Sequence, residues 1–263
     1  MKRFIDMPKK GWYSGDHEVQ YVGHSRGYGK YDDLYHGKEG ALNAANVCRA
    51  EGLSWVVYSH GSAQDKAYEM TTDNFISFCG AETATWLDDD IICINMRKGA
   101  YEESNRVFNL QTLEYLSRQE PGSIGICAHP YIGDFWNVAN KEYSRCFPIY
   151  IALGKCAPIL NSSLTNKEEE GYYRLLNLGF KIGLSGSTDS YIGNPFRSGI
   201  VGSSRTYVKA KEFTRSQIIE GLSRGRTVVS SGPIISFTLA GKEIGDTVKL
   251  IGKKKETLSL HLE

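Results

Sequence analysis

The sequence predicts an α/β protein: a mainly parallel sheet, covered on both faces or closed into a barrel, followed by a short β extension. Apolar runs of strand length alternate with helix-like segments through most of the chain, and strands that apolar suit a sheet buried on both sides. Residues with chemical potential stand at the ends of those runs: His60 after "WVVYS", Glu82 after "ISFCGA", His129 after "GICA" and Asp189 after "GLSGST". In a barrel, the carboxyl ends of the strands form the working face; in an open doubly wound sheet, the same residues would meet at one crevice.

Taken in order, the elements support this class. Segment 39–52, "EGALNAANVCRAEG", spaces Leu42, Ala45, Val47 and Cys48 as a helix would, with Gly52 as the stop. It runs into "LSWVVYS" (53–59), a continuous apolar strand, and "DNFISFCGAE" (73–82) and "DDIICIN" (89–95) are two further strands. A helix over 102–119 precedes Pro121-Gly122 and a strand over 123–129. A strand over 147–153, a helix over 167–179 ending at Gly179, and a strand over 180–186 follow. Thr214 is the N-cap of a last helix over 214–226. After residue 226 the sequence alternates in the β manner around glycine-containing turns and reads as hairpin strands. The expected division is a barrel over 1–226 and a β extension over 227–263. Because "ETLSLHLE" stops in mid-strand, the extension is expected to open a longer β domain.

A chain of 263 residues can bury one large core, or a main domain with a small appendage. The formal charge of +1, with lysines dispersed apart from "GKKKE" at 252–256, lacks the basic footprint of a nucleic-acid binder. No apolar run reaches the roughly 18 residues of a membrane span, and the basic N-terminus has no apolar core of a signal peptide. Neither a membrane segment nor a signal peptide is therefore expected in this chain. The six cysteines, at 48, 79, 93, 127, 146 and 156, show no CxxC spacing and are expected to be reduced core residues. Sixteen tyrosines suit a site for a polar, ring-shaped or flat ligand, such as a glycan-like molecule. There is no G-x-S-x-G elbow for a serine hydrolase, and "YGKYDD" and "SRGRT" lack the spacing of a phosphate loop.

The ordered set "RFIDMPKKGWYSGDHEVQ", "AEGLSWVVYSHGS", "CGAET", "ICAHPY", "LLNLGFKIGLSGSTDSY" and "LSRGRTVVSSGPIISFTLAGKEIGDTV" resembles the PHP (polymerase and histidinol phosphatase) superfamily. The resemblance is nearer to its CehA/McbA-like metallohydrolase branch and spans nearly the whole chain. It implies a distorted (β/α)7 barrel with up to three divalent metals at its C-terminal face, and hydrolysis, often of phosphoesters. The chain departs from the family's pattern at its metal motifs. The two histidines expected shortly after Gly-Asp are Glu18 and Gln20, the Asp-His is Ser59-His60, and the Asp-x-His is Asp189-Ser190-Tyr191.

The resemblance then leaves Glu82, Asp189, His129, His60, Glu18 and Gln20 as the expected metal set, with Glu18, His60 and His129 also the candidates for acid–base catalysis. Carboxylate and amide oxygens favour magnesium or manganese, whereas imidazole suits zinc, so the expected cofactor is a divalent metal (Mn, Mg or Zn) in an oxygen-biased site. The ordinary alternative for each residue is a hydrogen-bonded polar group filling an emptied site. His17 and His24 flank the opening motif and enter the site if the register slips; Arg197 and Arg205 are candidate anion contacts. The functional expectation is a metal-dependent, phosphoesterase-like hydrolase acting on a small-molecule or glycan-like substrate. The competing expectation is a catalytically inactive barrel that binds a glycan or a protein.

Overall fold

The structure is a computed structural model that describes residues 11–21, 37–60, 64–83, 91–96, 122–127, 149–153, 173, 176–177, 183–188, 190–192, 200–249, 252 and 258–262. Its strands are β1 (Trp12–Tyr21), β2 (Trp55–His60), β3 (Ile76–Thr83), β4 (Ile91–Ile94), β5 (Ile124–Cys127), β6 (Ile149–Leu153), β7 (Leu184–Gly186), β8 (Ser190–Ile192), β9 (Arg205–Lys209), β10 (Thr227–Ser230), β11 (Ile235–Leu239) and β12 (Leu258–Leu262). The described helices are α1 (Gly37–Ala50), a 3₁₀ helix (Gln64–Met70) and α2 (Arg215–Ser223). The helix expected over 102–119 lies outside the described residues. Of the one expected over 167–179, Tyr173, Leu176 and Asn177 are described; all three are helical and exposed.

β1 to β10 form one sheet in the order β10-β9-β1-β2-β3-β4-β5-β6-β7, with β8 alongside β1. β1, β2 and β3 are parallel neighbours, as are β5, β6 and β7, while β4 runs antiparallel to both β3 and β5. The expectation of βαβ units thus fails at β4 for a simple reason. Only residues 84–90 join β3 to β4, and a parallel crossover needs a dozen residues or more. β9 is antiparallel to β1 and to β10, so Thr227–Ser230 hydrogen-bonds within the main sheet, and a separate two-stranded sheet starts at Ile235.

The sheet is strongly curled, and its far edge returns to the near one through side chains. The Thr206 hydroxyl on β9 accepts from the Gly186 amide and donates to the Gly186 carbonyl, both at 2.8 Å, so one side chain stands in for a ladder partner of β7. Thr227 on β10 donates to the Leu184 carbonyl at 2.5 Å. Threonine hydroxyls, rather than a backbone ladder, make this seam among the described residues.

Local sequence explains the elements that frame the site. α1 buries Ala41, Ala44, Ala45 and Cys48, an i, i+3, i+4, i+7 stripe of small residues that lets the helix approach the sheet closely. Leu42 and Val47, expected on the inner face, are exposed. The Tyr58 hydroxyl ties β2 to the helix by donating to the Ala41 carbonyl at 3.0 Å. Gly52 ends α1 as expected, at φ 77°. Its amide bonds to Arg49 and the Leu53 amide to Cys48, the paired bonds of a Schellman turn. Thr214 caps α2 by accepting from the Gln217 amide. The Arg215 guanidinium beside it donates to the Ser77 carbonyl and to Thr71 while lying against the rings of Tyr68 and Phe78, which latches α2 to the start of β3. Burial is the main cause that lowers its pKa.

The core between these elements is apolar and includes Trp55, Tyr58, Phe75, Phe78, Ile92, Ile94 and Ile126, all fully buried. Cys48, Cys79 and Cys93 are buried thiols within it, as the scattered spacing predicted, whereas the side chains of the other three cysteines lie outside the described residues. Burial pushes the Cys48 and Cys93 thiols up, and the Asp16 charge adds to the effect at Cys48.

Candidate functional site

The site is built on the carboxyl-terminal half of β1. Gly15 pairs with Trp55 and Asp16 with Val56, but Val19 pairs with Tyr58. β1 therefore advances three residues while β2 advances two, which is a β-bulge around His17 and Glu18. A compensating shift then sets Gln20 opposite His60. A bulge leaves an amide outside the ladder and re-aims the side chains around it. Here the Asp16 carboxylate receives the Glu18 amide at 3.0 Å, an Asx-type bond two residues along.

The same carboxylate reaches across to the segment after β7. Its Oδ1 also accepts from the Thr188 amide at 3.3 Å, and its Oδ2 accepts from the Thr188 hydroxyl. One residue away, the Ser187 hydroxyl donates to Glu18 Oε2 at 3.0 Å. Asp16, His17, Glu18 and Ser187 are fully buried, and Thr188 and Ser190 nearly so. β8 continues the arrangement along β1, with Ser190 opposite Val19 and Tyr191 opposite Gln20. Gln20 is thus the backbone neighbour of both His60 and Tyr191.

The expected site residues are placed unevenly. Glu18 is buried at the bulge and hydrogen-bonded to Ser187. Gln20 and His60 are described at the backbone, where they are paired. Glu82 is described at the backbone on β3, paired with Ile92, three residues beyond the Cys79 that pairs with Tyr58. His129, Asp189, His24 and Arg197 lie outside the described residues. His17 is buried inside β1 itself. Arg205 donates to the carbonyls of Gly202 and Glu51. Asp16, Ser187 and Thr188 were not singled out in advance. The signal was present as an Asp inside a strand, where its kind is disfavoured, and a Ser-Thr pair directly before Asp189.

Does this corner suit a divalent cation? Among the described residues, no group of three or more His, Cys, Asp and Glu side chains is gathered as a metal-binding cluster. The described polar side chains are the buried carboxylates of Asp16 and Glu18, hydroxyls and the buried imidazole of His17; the oxygens match magnesium, manganese or calcium, whereas the imidazole suits zinc. Among the described residues, the Ser190 hydroxyl, 2% exposed, has no hydrogen-bond partner, and a buried hydroxyl of this sort calls for water, an ion or a ligand. The buried Glu18 carboxylate, the one side chain of the expected metal set that is described, is of a type that suits an oxygen-ligated ion.

No family model matches the chain, and no curated protein matches it in sequence. Among solved structures it is similar to a two-domain protein containing a predicted PHP-like metal-dependent phosphoesterase, from Bacteroides vulgatus. The TM-score is 0.51 at 14% identity, over 83% of this chain and 64% of that one, so the chain spans less than two thirds of its neighbour's length. At that identity the likeness speaks for the fold alone: the curled, mixed α/β sheet described above is similar to that of this neighbour.

Proposed function

We infer that the chain is a metal-dependent hydrolase of PHP type, phosphoesterase-like, with an oxygen-rich site at the carboxyl end of β1. The observation that supports it is the fully buried Glu18 carboxylate, held by Ser187 at the strand end where Gln20 neighbours both His60 and Tyr191. The solved structure with this fold contains a predicted metal-dependent phosphoesterase, which favours the same chemistry here. Glu18, Glu82 and Asp189 are the proposed metal ligands, with Gln20 as a neutral oxygen donor and His60 and His129 as further ligands. A bound divalent ion supplies Lewis-acid polarisation of the ester and makes water acidic enough to attack near neutral pH. In this reading Glu18 would orient or deprotonate the attacking water, and His60 or His129 would protonate the leaving oxygen.

The test is metal analysis of the purified protein, followed by assays on p-nitrophenyl phosphate and its diester with manganese, magnesium and zinc. Bound metal and turnover in the wild type, both lost in Glu18→Ala, fit the proposal. A protein that binds no metal and turns over neither ester refutes it.

One observation favours the second reading, a catalytically inactive binding barrel. Hydrogen bonds from the chain's own Thr188 and Ser187 engage both Asp16 oxygens and one oxygen of Glu18, the residue that stands where the resemblance expects an imidazole ligand. On that reading the protein stays metal-free and takes a glycan or protein partner in place of an ester.

A further inference from the structure

We propose that Asp16 is a positioning residue: it fixes the β1 bulge that presents Glu18 and pins Thr188 in the segment after β7, without itself binding the ion. The part concerning the ion rests on the functional reading above; the clamp itself rests on geometry alone. Asp16 is fully buried and serves both β1 and the segment after β7. Through Oδ1 it takes up the Glu18 amide at 3.0 Å and the Thr188 amide at 3.3 Å, and through Oδ2 it receives the Thr188 hydroxyl. Glu18 and Thr188 are 170 positions apart in the chain, so one carboxylate sets the relative position of the bulge and of the residue preceding Asp189.

Three hydrogen bonds converging on a buried carboxylate are charge-assisted and costly to remove singly. Through the bulge that it fixes, Asp16 acts on any ion held by Glu18. Groups that orient ligands in this way commonly change metal affinity about 10–100-fold when lost. The Asp16 charge also reaches outward to α1, where it raises the pKa of the buried Cys48 thiol.

The experiment compares Asp16→Asn, Asp16→Ala and Thr188→Val by amide hydrogen exchange at Glu18 and Thr188 and by Mn²⁺ titration. Asn keeps an acceptor for the two amides and offers its NH₂ to the Thr188 oxygen, so D16N retains slow exchange and Mn²⁺ affinity within a few-fold of wild type. D16A speeds exchange at both amides by about tenfold or more and weakens Mn²⁺ binding by about 10–100-fold. If D16A does not fold, T188V carries the test. It removes one hydroxyl from the clamp and weakens Mn²⁺ binding about tenfold while the Glu18 amide stays protected.

Wild-type exchange at both amides in folded D16A overturns the clamp. So does unchanged exchange and Mn²⁺ affinity in T188V when D16A does not fold. Abolished Mn²⁺ binding in D16N with undisturbed amide exchange overturns it too, because Asp16 is then a ligand. A wild type that binds no Mn²⁺ sinks the metal reading, and the exchange results still decide the clamp.

Discussion

Gly15→Ala is predicted to destabilise the protein by overpacking that also breaks a buried hydrogen bond. A Cβ built on Gly15 falls 2.0 Å from Cδ2 and Cε2 of Trp55 and 2.5 Å from its Nε1. To restore ordinary contact at 3.4 Å from that 2.0 Å, the indole and the strand must separate by about 1.4 Å. Trp55 has little room to withdraw: it is fully buried, packs edge-on against Phe78 with ring centres 6.3 Å apart, and donates Nε1–H to the Tyr13 carbonyl at 3.0 Å. A shift of that size breaks the hydrogen bond. Overpacking costs about 1–3 kcal/mol, and an orphaned buried donor adds about 1–3 kcal/mol. A net loss near 3 kcal/mol in a chain of this size lowers Tm by about 6–12 °C.

Thermal unfolding followed by circular dichroism, with urea titration alongside, measures the change. Trp55→Phe in the same background relieves the clash, so the cost of G15A falls by more than about 1 kcal/mol in the double variant. A G15A protein within about 2 °C of wild type, with no coupling to position 55, refutes the stated pairing of β1 and β2.

The thiols at 48, 79 and 93 are predicted to resist Ellman's reagent until the protein unfolds, because all three are buried; rapid reaction of the native chain at any of them contradicts this placement. The folded-state pKa values of Cys48 and Cys93 are raised, so their contribution to stability is complete below the ordinary thiol value of 9.0 and is lost as pH rises beyond it. Urea midpoints measured from pH 8 upward should fall, and flat midpoints count against buried neutral thiols. Thr206→Val removes both side-chain bonds to Gly186 at the sheet seam and is expected to cost about 1–3 kcal/mol, with faster amide exchange at Gly186. An unchanged urea midpoint shows that the seam does not depend on that hydroxyl.

The sequence exposed those elements whose patterns are local. β2 and β3 are continuous apolar runs, and α1 and α2 carry their stop and start signals in Gly52 and Thr214. β1 was less legible as a strand because Ser14, Gly15, Asp16 and Glu18 break its apolar pattern; these residues are there for a tryptophan contact, a bulge and a buried site. The antiparallel course of β4 follows from link length rather than from the residues of β4 itself. The buried face of α1 was misread because Leu42 and Val47 outrank alanine in hydrophobicity, while alanine fits a close helix–sheet approach. At the site, Glu18 was visible as a substitution in a family-like motif. Its support from Asp16, Ser187 and Thr188 was hidden, because hydroxyls 169 or more residues away carry no local signature.

Soaking crystals with Mn²⁺ and collecting anomalous diffraction tests most directly whether this strand end gathers a cation. The account predicts an anomalous peak within coordination distance of Glu18 Oε1 or Oε2, shared with the carboxylate of Asp189, and its disappearance in Glu18→Ala. Manganese-soaked crystals with no peak beside Glu18, or with the carboxylates of residues 18 and 189 turned away from one another, contradict it.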